Sequence, residues 1–143
     1  MSEDPYRLER FVDAQRGVID GAMAELRAGR KTGHWIWFVF PQLAGLGRSE
    51  LARYYGITSL SEARAYLAHP VLAPRLRACT DALLETGGRT AQEVLGPVDA
   101  MKVRSSMTLF HRAAPDEERF PTVLARWYDG IPDALTDTLL AQA

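Results

Sequence analysis

The sequence predicts an all-α fold, and three observations carry that reading. Apolar residues recur at helical spacing along most of the chain, as in Leu8, Val12, Ile19, Ala22 and Leu26, and in Leu72, Leu76, Cys79 and Leu83. Helix start and stop signals punctuate these runs at short intervals: Asp4-Pro5, Ser59-Leu-Ser-Glu62, Thr90-Ala-Gln-Glu93 and Gly96-Pro97 open segments, and Gly29, Gly56 and Gly87-Gly88 close them. Finally, the one strongly β-prone run, Trp35 to Phe40, is isolated and stopped by Pro41, and a lone strand has nothing to pair with. Residues 1–143 are expected to form one domain of about seven or eight short helices in irregular packing.

Taken in order, the first helix is expected from Asp4-Pro5 to about Ala28. Its apolar stripe includes position 15, which is glutamine, and a buried amide without partners costs on the order of 1–3 kcal/mol. Gln15 is therefore an anomaly that needs partners. The aromatic run 35–40 reads as a short buried helical or extended segment. Ser49 caps a short helix ending at Gly56, and the Ser59 box opens another that His69-Pro70 ends. Residues 71–86 form a helix with Cys79 on its apolar stripe. The Thr90 box opens a single turn up to Gly96. Pro97 begins a long helix, PVDAMKVRSSMTLFHRAA, and two more follow, near 117–129 and after Ile131-Pro132.

The chain has 143 residues and a net charge of −1, with 47% hydrophobic and 24% charged residues. This is an ordinary globular balance. It offers no concentrated basic face for nucleic acid and no apolar run long enough for a membrane span, so neither partner is expected. One cysteine excludes an intramolecular disulfide, the first residues are charged rather than signal-like, and a cytoplasmic location is expected. No Cys/His spacing suits zinc, no Gly-x-Ser-x-Gly elbow is present, and no metal or cofactor is expected. Of 17 cationic residues only Lys31 and Lys102 are lysine. In a chain whose cations are otherwise arginine, they mark positions suited to a compact point charge.

Two constellations carry candidate chemistry. The stretch HWIWFVFPQ brackets its aromatics with His34 and Gln42. Six consecutive apolar residues cannot all point into one core on either helical or strand geometry, so at least one aromatic should line a pocket wall. Trp35 and Trp37 offer flat stacking faces, and His34 offers an acid, a base or a donor near neutral pH. Each bracket residue has an equally simple structural role as a hydrogen-bonded side chain. The second constellation lies on the long helix. Val103, Met107 and Phe110 form its apolar stripe, while Asp99, Lys102 and Ser106 fall on another face beside Ser105. An ammonium beside small hydroxyls suits phosphate or ribose oxygens; alternatively, Lys102 simply pairs with Asp99 and the serines admit a neighbouring helix. Gly45-Leu-Gly-Arg-Ser49 reads either as a phosphate cradle or as a plain turn. Glu25 lies one position from the core stripe of the first helix, near Gly29 and the bracketed aromatics, and is the candidate general base, although a solvated helix residue is the simpler role.

RFVDAQ, ELRAGRKTGHWIWFVFPQLAGLGRS, YYGI, SEARAYLAHPVLAPRL and KVRSSMTLF, in that order, resemble the bacterial domain-of-unknown-function family 1810 over roughly residues 5–140. The resemblance implies a mainly helical fold and brings no established activity. A more distant likeness, to the NADAR superfamily of NAD- and ADP-ribose-related N-glycosidases, rests on general features alone: a small helical domain with polar groups beside Trp and a Lys-bearing helix. Together these features point to an enzyme or binding domain for a nucleotide- or ADP-ribose-like molecule. Trp35 or Trp37 would stack a base, and Lys31, Lys102, Ser105 and Ser106 would hold phosphate or ribose oxygens. His34, Gln42 and Gln15 would orient the scissile region, with Glu25 and His34 as the candidate catalytic pair for N-glycosidic hydrolysis. The alternative is a non-catalytic protein-interaction module with an exposed aromatic groove. Whether a bond is broken, and the oligomeric state, stay open at this point.

Overall fold

A computed structural model describes residues 4–142. The helices are α1 (Glu9–Gln15), α2 (Ile19–Ala28), α3 (Ile36–Val39), α4 (Glu50–Tyr54), α5 (Leu60–Ala68), α6 (Leu72–Leu84), α7 (Ala91–Leu95), α8 (Pro97–Ala113), α9 (Arg119–Trp127) and α10 (Ala134–Gln142). Among the described residues the only extended pairing is a parallel bridge between Leu43 and Ile57. The all-α expectation holds, with ten helices among the described residues in place of seven or eight.

The extra count has local causes. The expected first helix breaks into α1 and α2 because Gly17 adopts φ 75°, a left-handed conformation that glycine reaches without a Cβ penalty. The aromatic run winds into the single turn α3, with Ile36 and Val39 buried. The first helix also starts later than Asp4-Pro5 predicts: Arg7 turns left-handed at φ 51°, Asp4 accepts Leu8 N–H at 2.7 Å and Glu9 N–H at 2.9 Å, and α1 opens only at Glu9. Other boundaries lie close to their signals. Thr90 and Glu93 complete a reciprocal capping box at α7, and Pro97 sits in the first turn of α8. Ser59 Oγ accepts from Glu62 N at 3.1 Å, but Glu62 does not return the bond to Ser59. Its carboxylate instead takes Thr58 N–H at 3.0 Å and Arg10 Nη2 at 3.0 Å.

Helices α6 and α8 form the frame. α8 packs against α9, α5, α7 and α10, and α6 against α2, α9 and α5. The α6 stripe Leu72, Leu76, Cys79 and Leu83 and the α8 stripe Val103, Met107 and Phe110 are all buried. Burial pushes the Cys79 thiol up to about 12, which leaves it an inert core group. Aromatic contacts run through the core from Phe11 to Tyr66, Phe110 and Phe120. Two polar groups stitch α1 to this core. Arg10 reaches Glu62 and the carbonyls of Tyr54 and Gly56. Gln15, almost wholly buried, donates to Phe38 O at 2.7 Å and to the Tyr66 hydroxyl at 3.3 Å, and accepts from Arg75 Nη1 at 3.3 Å. The glutamine in the apolar stripe thus finds the partners its burial demands.

Candidate functional site

The two lysines converge. Lys31 Nζ lies 2.7 Å from Asp99 Oδ2, and Lys102 Nζ lies 3.6 Å from Asp99 Oδ1. Each ammonium also sits over a tryptophan of the aromatic run: Lys31 over Trp35 at 4.9 Å from the ring centroid, and Lys102 over Trp37 at 4.6 Å. The two sequence motifs therefore meet along one line, with Trp37 of α3 and Trp35 just before it contributing the rings and α8 the carboxylate. The two lysines differ in commitment. Lys31 is buried, with a side-chain exposure of 6%, and donates to Gly33 O as well as to Asp99. Lys102 is more open at 24% and makes no hydrogen bond among the described residues, since its contact with Asp99 is longer than one.

Lys102 faces a groove of about 390 Å³. Trp37 and Gln42 form one wall, and the loop through Gly47 and Arg48 closes one side. The bridge at Leu43 holds this loop: Ala44 N donates to Ile57 O at 2.7 Å, and Ile57 N to Gln42 O at 2.9 Å. The Gln42 carbonyl is thus spent on the fold, and the residue lines the groove. The opposite wall is a face of α8, made of Val98, Met101, Lys102 and Ser105, with Asp133 and Leu135 beyond it. This last segment is strapped to α8 by Asp133 N donating to Thr108 Oγ1 at 2.9 Å and by Arg104 Nε donating to Ile131 O at 2.9 Å. Arg48 has no ion pair or hydrogen bond among the described residues. Ser49 Oγ accepts from Ala52 N at 3.1 Å and keeps its own proton to donate, whereas Ser105 Oγ donates to Met101 O at 3.2 Å and keeps acceptor capacity.

The other candidate residues lie elsewhere. Glu25 Oε1 accepts Thr32 N–H at 2.6 Å, Gly33 N–H at 2.8 Å and the Trp35 indole N–H at 3.1 Å. Burial by itself would raise this carboxyl, but the Gly33 and Thr32 amides and the Trp35 indole outweigh it and hold the group below its ordinary range. Glu25 is a clamp on the loop before α3, its Oε1 taken up by three N–H donors. Trp35 is buried beneath the groove rather than lining it. Lys31 and Gln15 are committed as described. Ser106 is fully buried and its Oγ has no partner, which removes it from ligand contact. His34 is exposed and lies outside the groove lining. Trp37, Gln42, Lys102 and Ser105 are the candidates that share one cavity.

Sequence reading missed Val98 and Met101, which are 64% and 71% exposed at the rim. The signal was present. Positions 98, 101, 102 and 105 are one helical face, and two apolar residues on a face other than the core stripe mark a surface with a second use. Asp133 and Leu135 carry no such signal, because only the packing of α10 on α8 brings them near.

No group of three or more His, Cys, Asp or Glu side chains among the described residues is placed to hold a metal ion. No helix among them is long and apolar enough to cross a membrane. A family model described as Protein of unknown function (DUF1810) matches residues 5–140. The chain belongs to this family. A solved relative has the same fold: the crystal structure of the conserved hypothetical protein Rv1873 from Mycobacterium tuberculosis is 54% identical, covering 96% of this chain and 99% of that one, with a TM-score of 0.95. No curated protein matches the chain. Neither match bears on the likeness to the NADAR superfamily, and the motif resemblance to the DUF1810 family is the one that holds.

Proposed function

We propose that the groove between α3 and α8 binds a small phosphorylated, ring-bearing metabolite of the nucleotide or ADP-ribose class. The observation that carries this reading is Lys102, an ammonium fixed over Trp37 yet without a hydrogen bond, facing a cavity whose other cation, Arg48, is also unengaged. Lys102 and Arg48 would take the phosphate oxygens, the first as a point charge and the second as a planar fork. Trp37, Val98 and Met101 would carry the ring, and Gln42, Ser49 and Ser105 its polar edge. A volume of about 390 Å³ is at the small end for ligand sites, so it accommodates one nucleotide moiety, with any second moiety outside.

We favour binding over hydrolysis. N-glycosidic cleavage, as the NADAR likeness implies, needs a free acid or base near the bond. Glu25 and His34 lie off the groove, and the carboxylate that lines it, Asp133, caps α10 by accepting Thr136 N–H at 2.9 Å and its hydroxyl at 2.6 Å. Calorimetric titration with AMP, ADP and ADP-ribose, with adenosine as the uncharged control, tests this reading. Phosphorylated ligands should bind and adenosine should bind at least tenfold more weakly; Lys102→Ala should narrow that difference, Trp37→Ala should weaken phosphorylated and uncharged ligands alike, and His34→Ala should bind as wild type. No heat with any phosphorylated ligand at about 1 mM, a range still detectable at −4 kcal/mol, would end the proposal.

The exposed rim residues Val98, Met101 and Leu135 favour a second reading, a non-catalytic interaction surface. Sedimentation of the protein at rising concentration tests its simplest form, self-association. A monomer throughout, together with nucleotide binding, would leave the rim as part of the ligand site.

A further inference from the structure

We propose a second binding site, in the cleft between the C-terminal end of α6 and α9, for a small organic anion with an apolar body. The cavity encloses about 430 Å³, within the range of small-molecule sites. Leu83 and Val123, both buried, form an apolar floor. Trp127 forms a side, and its single N–H is spent on Arg89 O at 3.1 Å, so the indole offers a ligand only carbon surface. Gly87 and Gly88, both left-handed at φ 63° and 51°, border the cavity without side chains to fill its mouth.

Arg89 and Arg126 complete the lining, and no acidic residue contributes to it. Each arginine donates to the open end of a helix: Arg89 Nη1 to Ala28 O at 2.7 Å, and Arg126 Nη1 to Leu84 O at 3.1 Å. Helix capping explains their position. It does not neutralise them. A guanidinium has five N–H donors, and each of these uses one. Arg77, Arg112 and Arg119 all meet carboxylates, whereas neither Arg89 nor Arg126 does among the described residues. The acids nearby make no contact with either arginine: Asp81 pairs with Arg119 at 3.3 Å, Glu93 accepts Thr90 N–H at 2.9 Å and acts on Arg89 only through space, and Glu85 is not part of the lining. Two planar cations without a carboxylate contact, lining the same cavity as an apolar floor, match a carboxylate or sulfonate head carried on a hydrophobic ring or short chain. The site shares no residue with the groove at Lys102.

Fluorophenylpropanoate, followed by fluorine NMR line broadening and by the Trp127 indole N–H resonance, is a suitable probe, with fluorophenylpropanamide as the neutral control. The carboxylate should bind saturably with a dissociation constant of about 1 mM or tighter and should shift Trp127. The amide should bind at least tenfold more weakly. Arg89→Gln and Arg126→Gln should each weaken the carboxylate by about tenfold, the loss expected for one charge-assisted hydrogen bond. Lys102→Gln should leave it unchanged, which separates this site from the groove. Both arginines also cap helices, so the comparison of acid with amide on the wild-type protein stands without any variant. Absence of saturable binding, equal binding of acid and amide, or full binding by folded arginine variants would each overturn the proposal.

Discussion

Lys31 and Lys102, the only lysines in the chain, approach the two oxygens of a single carboxylate, Asp99, from α3's side and from within α8. One negative charge between two positive ones leaves the line with an excess of one, and the asymmetry of burial decides where that excess resides. The buried Lys31 must keep its partner, because an uncompensated ammonium in that position is costly to desolvate. Lys102 can give up its longer contact to a ligand.

Asp99→Asn should therefore separate the two roles. Removing the charge leaves Lys31 buried without its counter-ion, and breaking such a pair costs roughly 3–5 kcal/mol when fully buried. With Asp99 partly exposed, a loss of about 2–3 kcal/mol is expected in urea unfolding. Lys102→Gln, at a partly open position, should cost less than about 1 kcal/mol. Equal losses in the two variants would mean that both lysines are structural and would remove the main support for the groove as a ligand site.

Glu25 predicts a pH dependence of known sign. Its carboxyl is held below its ordinary value, near 4.5, by three N–H donors that outweigh burial. A group whose folded value is depressed contributes stability that is complete above the unfolded value and is lost as pH falls through the folded one. Stability should thus decline below about pH 4.5 as the loop clamp protonates. Asp137, held down by Arg112, and Asp4 act in the same direction, so the wild type falls for several reasons at once. The difference between wild type and Glu25→Gln isolates this one: it should be largest near neutrality and shrink on acidification. A constant difference from pH 7 to about pH 3 would show that the charge of Glu25 contributes nothing.

This clamp also marks how far sequence reading reaches. Helix existence was legible because each start and stop signal is local: Thr90 with Glu93, Ser49 with Ala52 and Pro97 after Gly96 all act within one turn. The break at Gly17 was less legible, because apolar spacing continued across it and only a backbone angle distinguishes a kinked helix from two. The site was half legible. That one aromatic of HWIWFVFPQ would reach a pocket followed from geometry, and Trp37 does so. Which carboxylate would hold both lysines did not follow. Glu25 is near the motif in sequence yet turns to the backbone of its own loop, whereas Asp99, read only as a partner for Lys102, also holds Lys31 from a distant segment.

Gly56 tests the Leu43–Ile57 bridge that holds the groove's loop. A Cβ built there would lie 2.8 Å from Ala44 Cβ and 2.9 Å from Ala44 Cα. Backbone cannot yield as a flexible side chain can, so Gly56→Ala should push the 42–44 segment away from Ile57 and cost about 1–3 kcal/mol. It should also weaken ligand binding in the groove, because Gln42 moves with that segment. Destabilisation in chemical unfolding with binding unchanged would show that the groove tolerates displacement of its loop.

Ser106 supplies the sharpest test of which serine matters. Its neighbours on α8 satisfy their hydroxyls in the helix, Ser105 on Met101 O at 3.2 Å and Thr108 on Arg104 O at 2.8 Å. Ser106 Oγ makes no such bond and is sealed from solvent. A buried hydroxyl without a partner is unfavourable by roughly 1–3 kcal/mol, so Ser106→Ala should be neutral or stabilising by up to about 1 kcal/mol, while Ser106→Val, which adds volume to a closed interface, should lose about 1–3 kcal/mol. Ligand binding should be unaffected by Ser106→Ala and weakened by Ser105→Ala, a residue of the groove wall. A clear loss of stability in Ser106→Ala would instead place a bound water or an alternative acceptor at that oxygen, since only a satisfied hydroxyl is missed when it is removed.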